Sequence, residues 1–494
     1  MNKMKNIYKL FPLFLLALFF SCNDSLDTEL QGQYTTDSFY QTEDHAISAI
    51  NATYQIAAFN STNNNLWVFG DVASDDTVKG GFDGDQSDIE LVNNFNVNPI
   101  NGTINNFWQH YYEGVTRANN VLYYVPDIDM DTDLKNRILA EAKFLRAYYY
   151  FHLTNIFGEI PLKTIPAFTP QELNVPLSTV ALVYTQIELD LSEAANNLPA
   201  SYDPSETGRV TKGAALGLLA KVYLFQEKWE LAANTATLVE GLGYGLTQLY
   251  RNNFNASSEN NSESVFEIQH LTGQVPSLGT YLNQWFSPSV LTGYFFNAPT
   301  QNFIDEFEVT VSLVVDPRLD YSVGREGNTW VDGQDFLIEW SPTGYLSKKQ
   351  VQDPGDNPIG DGDLNYTFMR FAEILLIKAE ALNEMGNGAG ALIPLNKIRK
   401  RARESYLFDN QLSGFGTIPV GLLPDVTSTN TAFLRDAIRH ERRVELGLEF
   451  HRYFDVVRYG QAYSEQVLGN TGFNYSEDRY FPIPQSERDA NTNI

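Results

Sequence analysis

Cysteine is nearly missing from this chain, with one in 494 residues, at position 22. That excludes an intrachain disulfide framework and any metal site built on several thiolates. Histidine is scarce, six in all. His440-Glu441 is followed at the decisive position by Val444, so the paired-histidine motif of zinc peptidases is absent. A Gly-x-Ser-x-Gly nucleophile elbow is absent too. Basic residues fall short, 34 Lys and Arg against 61 Asp and Glu, for a formal net charge of −27. A field of that sign repels phosphate backbones, which excludes nucleic acid as a partner, and charge alone does not draw the chain to anionic membranes. Aromatic residues, in contrast, are abundant: 32 Phe, 27 Tyr and 6 Trp. With 43% hydrophobic residues the chain has material for a large core, and wholesale disorder is excluded.

The single long apolar run, Leu10 to Phe20, is interrupted only by Pro12 and follows Lys3, Lys5 and Lys9. A helix of that length spans about 16 Å, half a bilayer core, so the run reads as a secretory signal over residues 1–21 and not as a membrane span. Cys22 follows directly. A sole cysteine at the end of such a segment points to lipidation, which would tether the mature chain to a membrane. Ser21 suits the cleavage site, whereas Phe19 and Phe20 are larger than the residues usual there.

Beyond a polar leash, helical periodicity dominates both ends. From Ile138, residues Ala142, Leu145, Tyr149, Leu153 and Ile156 fall on one helical face. Thr211 is placed to cap a helix lined by Ala215, Leu218, Leu219 and Val222. Further helices are expected at 45–59, 104–125, 178–197, 229–240, 367–385, 389–404 and 431–458. Residues 241–365 are rich in Gly, Pro, Asn and Ser, with candidate strands at Val265 to Gln269 and Asp335 to Trp340. Ala220, Tyr223, Ala232, Ala236 and Val239 repeat at the same offsets as Ala379, Leu382, Ala391, Leu395 and Ile398. These are the offsets of a tetratricopeptide helix pair, with two ordinary helical hairpins as the alternative.

Several blocks resemble the SusD/RagB family of nutrient-binding outer-membrane lipoproteins. They include Glu141-Ala-Lys-Phe-Leu-Arg-Ala-Tyr-Tyr-Tyr-Phe151, Phe157-Gly-Glu-Ile-Pro161, Asp316-Pro-Arg-Leu319 and Met369-Arg-Phe-Ala-Glu373. The similarity continues through His440-Glu-Arg-Arg-Val-Glu-Leu446, His451-Arg-Tyr-Phe-Asp455 and Phe481-Pro-Ile-Pro484. One departure is Phe450, where the family prefers Gly. The resemblance implies a mainly α fold: an interrupted tetratricopeptide-like solenoid of roughly four helix pairs with a loop-rich, partly β ligand-binding region. Residues 22–494 are expected to form one domain, its scaffold at about 45–240 and 366–460 and its irregular portion at about 241–365 with loops at 60–103. The implied role is non-catalytic: the protein captures an oligosaccharide or polysaccharide outside the cell and passes it to a TonB-dependent transporter of the SusC type. Alternatives are a peptide binder of the same architecture and a glycoside hydrolase using two of the many acids.

Saccharides need flat apolar surface for their C–H faces and amides or carboxylates for their hydroxyls. The loops richest in both supply Tyr281, Asn283, Trp285 and Tyr294; Trp330, Asp332 and Trp340; and Trp67 with Asp71 and Asp75. At least one of Trp67, Trp285 and Trp330 is expected to be an exposed platform, with an anchor pinning a loop as the competing role for each. Trp108 and Trp229 are expected in the core. The arginines of the family blocks read as structural partners of neighbouring acids. No cofactor is expected, except that calcium stays open at two acidic loops, Asp83 to Asp88 and Asp353 to Asp363, neither of which has the spacing of a twelve-residue calcium loop. The run Asp127, Asp129, Asp131 and Asp133 reads as an acidic turn starting a helix.

Overall fold

Short polar residues start the helices. The side chains of Thr42, Asn101, Asp131, Thr179 and Thr211 each accept a backbone N–H from the first turn that follows, satisfying donors that the helix itself cannot. They open α1 (Glu43–Gln55), α2 (Gly102–Tyr124), α3 (Thr132–Phe157), α4 (Val180–Asn197) and α5 (Lys212–Phe225). Then come α6 (Trp229–Glu240), α7 (Phe371–Glu384), α8 (Gly388–Phe408), α9 (Thr431–Leu446) and α10 (Arg452–Arg458). The computed structural model describes residues 39–355 and 359–494; the expected signal segment, Cys22 and Asp356 lie outside the described residues. Among the described residues no helix is long and apolar enough to cross a membrane.

Each helix from α2 to α6 packs on the next, and α6 then packs directly on α7, which meets α8 and α9. The stack is therefore continuous in space although the chain leaves it for 130 residues between Glu240 and Phe371. Small residues make the close approaches: Ala220, Ala232 and Ala236 in one pair and Ala379 and Ala391 in the other are fully buried. Tyr223 and Leu382, at matching offsets, are both partly buried. The two sequence repeats thus occupy equivalent places in two helix pairs. Trp108 is buried and Trp229 packs against the same core.

Among the described residues the strands form four two-stranded antiparallel sheets. β1 (Thr77–Gly80) pairs with β5 (Phe296–Pro299), β2 (Ile160–Pro161) with β3 (Leu177–Ser178), β4 (Ser264–Ile268) with β8 (Tyr366–Arg370), and β6 (Val323–Gly324) with β7 (Leu346–Ser347). The strand expected at Asp335 to Trp340 does not form. Phe336 and Trp340, four apart, both point inward while Leu337 and Ile338 are exposed, a helical-turn pattern, and Ile338–Trp340 closes as a 3-10 turn. The helix expected over 431–458 is broken between Leu446 and Arg452. Leu448 and Phe450 adopt φ of +65° and +67° there, a left-handed conformation that costs a residue with a Cβ about 1–2 kcal/mol. This explains a glycine preference at position 450; here Phe450 stacks on Tyr366 at 4.9 Å instead.

The arginines of the sequence blocks are paired, and all but the half-buried Arg209 are buried. Arg146 grips Asp190 through two bonds of 2.7 and 2.8 Å, Arg209 meets Glu141, and Arg442 joins Glu373 to Asp455. The densest web ties the excursion to the stack. From the excursion come Glu263, Asp316, Arg318, Lys349 and its last residue, Arg370; from the stack come Arg401, Glu441 and Glu445, with Glu449 in the break just after α9. Burial pushes the Glu445 carboxyl up, but Arg401, Arg370 and Arg318 outweigh it and hold it well below the usual range.

At the edge of this web the half-buried His440 meets Glu306 at 2.9 Å and Glu308 at 3.4 Å. Burial lowers its pKa, but those two hydrogen bonds prevail and carry it from 6.5 to about 9. A raised folded-state pKa contributes stability that is complete below 6.5 and is lost as pH rises through about 9. We expect a fall of about 1–2 kcal/mol over that window, after allowing for solvent screening. His440→Gln should flatten this portion of a denaturant-midpoint profile. An unchanged slope in the variant would assign the fall to other groups.

Candidate ligand-binding surface

β1 and β5 lie side by side, with Gly80 opposite Phe296. Gly81 follows at φ +69°, and a Cβ there would collide with the Phe296 ring. The glycine lets the chain cross that ring closely and turn outward, so that Phe82 stands 61% exposed. Phe82 packs edge-on against Phe295 at 4.8 Å. Two residues before β5, Tyr294 is 45% exposed, 6.2 Å from Phe296 and 5.7 Å from Trp285. Its backbone N–H donates to the Gln284 carbonyl at 2.9 Å, and the Gln284 amide donates back to its phenol at 3.3 Å. Tyr281, half-buried, is fixed by its N–H to the Phe59 carbonyl. Phe82, seated on Phe295, and Tyr294, seated on Phe296 and Trp285 with the Gln284 amide at its phenol, are the exposed rings of this aromatic shelf, and half-buried Tyr281 stands at the N-cap of the short helix that carries Gln284.

Trp67 and Trp285 stand beneath this shelf and not on it. Trp67 is fully buried, 5.7 Å from Trp285, 5.5 Å from Phe286 and 6.1 Å from Phe296. Trp285 is buried in the same cluster. Trp330 and Trp340 are buried with Phe336, where they pin their own loop. The expected platform among Trp67, Trp285 and Trp330 is therefore corrected: all three are buried anchors, Trp67 and Trp285 covering each other from distant parts of the chain and Trp330 covered by Phe336 and Trp340 of its own loop.

The acids are corrected in the same way. Asp71 is fully buried, accepting from Phe450 N at 3.0 Å and Asn297 Nδ2 at 3.1 Å; burial pushes its pKa up to about 8. Asp75 is held by Arg452 at 2.7 Å and Arg443 at 3.0 Å. Asp332 caps its own turn through Gln334. Asn283 is buried and accepts from Gly360 N at 3.2 Å. Of the ten expected contact residues, Tyr281 and Tyr294 face the surface in this way. Phe82 was missing from that set, whereas Gln284 belongs to the same loop patch as Tyr281, Asn283 and Trp285. The signal for Phe82 was present: an aromatic between Gly80-Gly81 and Asp83-Gly84 sits at the tip of a turn, where no core can cover it.

Carboxylates of the two acidic loops are engaged by the chain itself. Asp88 accepts from Gly102 N, Asp85 from Phe82 N, Asp361 from Gly273 N, Thr272 and Ser277, and Asp363 from Thr272 N. The acidic run before α3 supplies its cap, Asp131 accepting from Leu134 N at 2.8 Å. Among the described residues no three His, Cys, Asp or Glu side chains gather as a metal site.

A helical-repeat scaffold that presents a loop-built aromatic surface is the architecture of a binding protein. The chain belongs to the SusD family. The match described as "SusD family" covers residues 262–494, and a second, "Starch-binding associating with outer membrane", covers 28–224. Over 99% of its length it is 28% identical to SusD-like protein P2 of Formosa agariphila, covering 98% of that protein. It is 24% identical to the starch-binding protein SusD of Bacteroides thetaiotaomicron, over 79% of this chain and 75% of that one. Among solved structures, a laminarin binding SusD-like protein is 31% identical, with a TM-score of 0.75 over 92% of this chain and 98% of the other. The fold is shared with surface glycan-binding protein A of Bacteroides thetaiotaomicron in complex with laminarihexaose, at 22% identity and a TM-score of 0.74 over 92% and 98% of the two chains.

Proposed function

We propose that this protein is a cell-surface glycan-binding lipoprotein that captures a neutral oligosaccharide or polysaccharide without cleaving it. The observation that carries the reading is the exposed shelf of Phe82 and Tyr294 beside the Gln284 amide, borne by a rigid aromatic base in a SusD-family chain. Phenyl and phenol faces cover sugar C–H surfaces at low side-chain entropy cost, and an amide both donates to and accepts from hydroxyls. Lipidation at Cys22 after removal of residues 1–21 would hold the protein at the outer membrane, facing outward. From there it would deliver cargo to a TonB-dependent transporter, a step that co-purification of the two would test. Delivery requires release, which a shallow open shelf favours over a closed pocket.

The test is calorimetry and affinity electrophoresis against a panel of neutral glycans that includes laminarin. Tyr294→Ala and Phe82→Ala should each weaken binding about tenfold, as loss of one aromatic contact implies. Binding unchanged in both variants would remove the site from this surface. Binding of peptides with no glycan affinity would replace the ligand class, and release of reducing sugar would overturn the non-catalytic reading.

A further inference from the structure

A hollow of about 670 Å³ shares no residue with the shelf, and a second of about 340 Å³ adjoins it across a ridge formed by Thr207, Gly208 and Arg209. One wall of the larger hollow is a face of α1: Ser48, Asn51, Ala52 and Gln55 stand at positions i, i+3, i+4 and i+7, the spacing of one helical stripe. The opposite wall is β4 and its continuation to Leu271. Consecutive residues from Phe266 to Leu271 line it, odd and even alike, and no residue of β8 does. Alternate residues would line a sheet face; consecutive ones mark the strand's unpaired edge.

The charges here are already spent. Arg209 pairs with Glu141 and Glu206, and Glu267 accepts from Ser264, Asn260 N and Asn365. What the lining offers is neutral. The side chains of Ser48, Gln55 and Ser205 make no hydrogen bond among the described residues, and Asn51 uses only its carbonyl, toward Arg209. The strand edge is no template for an added peptide strand. The Glu267 carbonyl is taken by Gln269, His270 N by Asn365, and Leu271 N by the Leu278 carbonyl. Apolar surface comes from Ile268, Pro276 and Leu278. Three half-buried phenols, Tyr54, Tyr202 and Tyr244, stand on the two sides of the ridge, their hydroxyls tied to Val210 N, the Val210 carbonyl and Thr211. Fixed rings, aliphatic floor and uncommitted amides and hydroxyls suit a neutral, hydroxyl-rich chain, and the combined size falls in the range of ligand sites.

We propose that these joined hollows are a second oligosaccharide-binding groove, separate from the shelf, in which the α1 stripe supplies the hydrogen bonds. Two modest sites on one chain would hold a polysaccharide far longer than either alone.

The experiment is calorimetry of the full mature protein with laminarihexaose, maltohexaose and xylohexaose. Ala52→Trp fills the groove from a partly exposed helical position, and Gln55→Ala removes one amide with no steric consequence. We expect two sites for one of these hexasaccharides. The Phe82→Ala/Tyr294→Ala double variant should keep one; adding Ala52→Trp to it should abolish that site, and adding Gln55→Ala should weaken it about three- to tenfold. Residual binding indifferent to both groove changes, or no groove-dependent binding of any of the three sugars, overturns the second groove and leaves the shelf reading standing. Capture of an uncharged peptide that Ala52→Trp blocks, with no sugar bound there, overturns the ligand class. Groove binding that persists while the shelf variants change nothing supports the groove and sinks the shelf.

Discussion

Arg370→Met should lower the free energy of unfolding by about 3–5 kcal/mol, the penalty for removing one partner from a buried charge network. Arg370 is 1% exposed. It reaches Glu263 at 2.8 Å, Glu445 at 2.6 Å and both oxygens of Glu449 at 2.8 Å. Without it, three buried carboxylates share Arg401, Arg318 and Lys349, and the last is compromised: burial brings its pKa down to about 8. Arg370→Lys should fall almost as far, because one ammonium cannot face three carboxylates at once. The damage should also be local. Arg370 ends β8, paired with β4 of the excursion, immediately before α7. The excursion should thus loosen from the stack before the stack melts. Urea denaturation followed by tyrosine and tryptophan fluorescence measures the first effect, and limited proteolysis between residues 241 and 365 the second. A loss below about 1 kcal/mol would mean that the web is dispensable.

Much of this scaffold could be read from the chain. Its helices carry their caps and apolar stripes locally, and the offsets shared by Ala220 to Val239 and Ala379 to Ile398 are a property of sequence alone. Pairing of the block arginines with acids was legible as chemistry, though not as geometry: Asp75 meets Arg452 and Arg443 from nearly four hundred residues away. That distance is why Asp71 and Asp75 looked like ligand groups. Read locally, they are two acids downstream of the Asn63–Asn65 run and Trp67; folded, one is buried against Phe450 and the other lies between two guanidiniums. The break after Leu446 was hidden for another reason. Only Gly447 hints at it, while Leu448 and Phe450 hold a backbone conformation that neither residue prefers.

Trp67→Ala tests the distinction between anchor and platform most severely. A fully buried indole replaced by a methyl group should cost about 3–5 kcal/mol, from lost transfer energy and an incompletely closed cavity. Tyr294→Ala, at a position 45% exposed, should cost well under 1 kcal/mol of stability while removing a ligand contact. The two variants should therefore show opposite signatures. Trp67→Ala should lose stability heavily and, measured in the cold where it is still folded, lose affinity only as far as Trp285 and Phe296 shift beneath Tyr294. Denaturation and calorimetry on the same preparations decide the matter. Were Trp67→Ala as stable as the parent and unable to bind glycan, the indole would have to reach ligand by opening of the 60–76 loop, and the shelf would be the lid of a site beneath it. The packing argues against such an opening, since β1 would have to leave β5 and Asp71 would have to give up both Phe450 and Asn297.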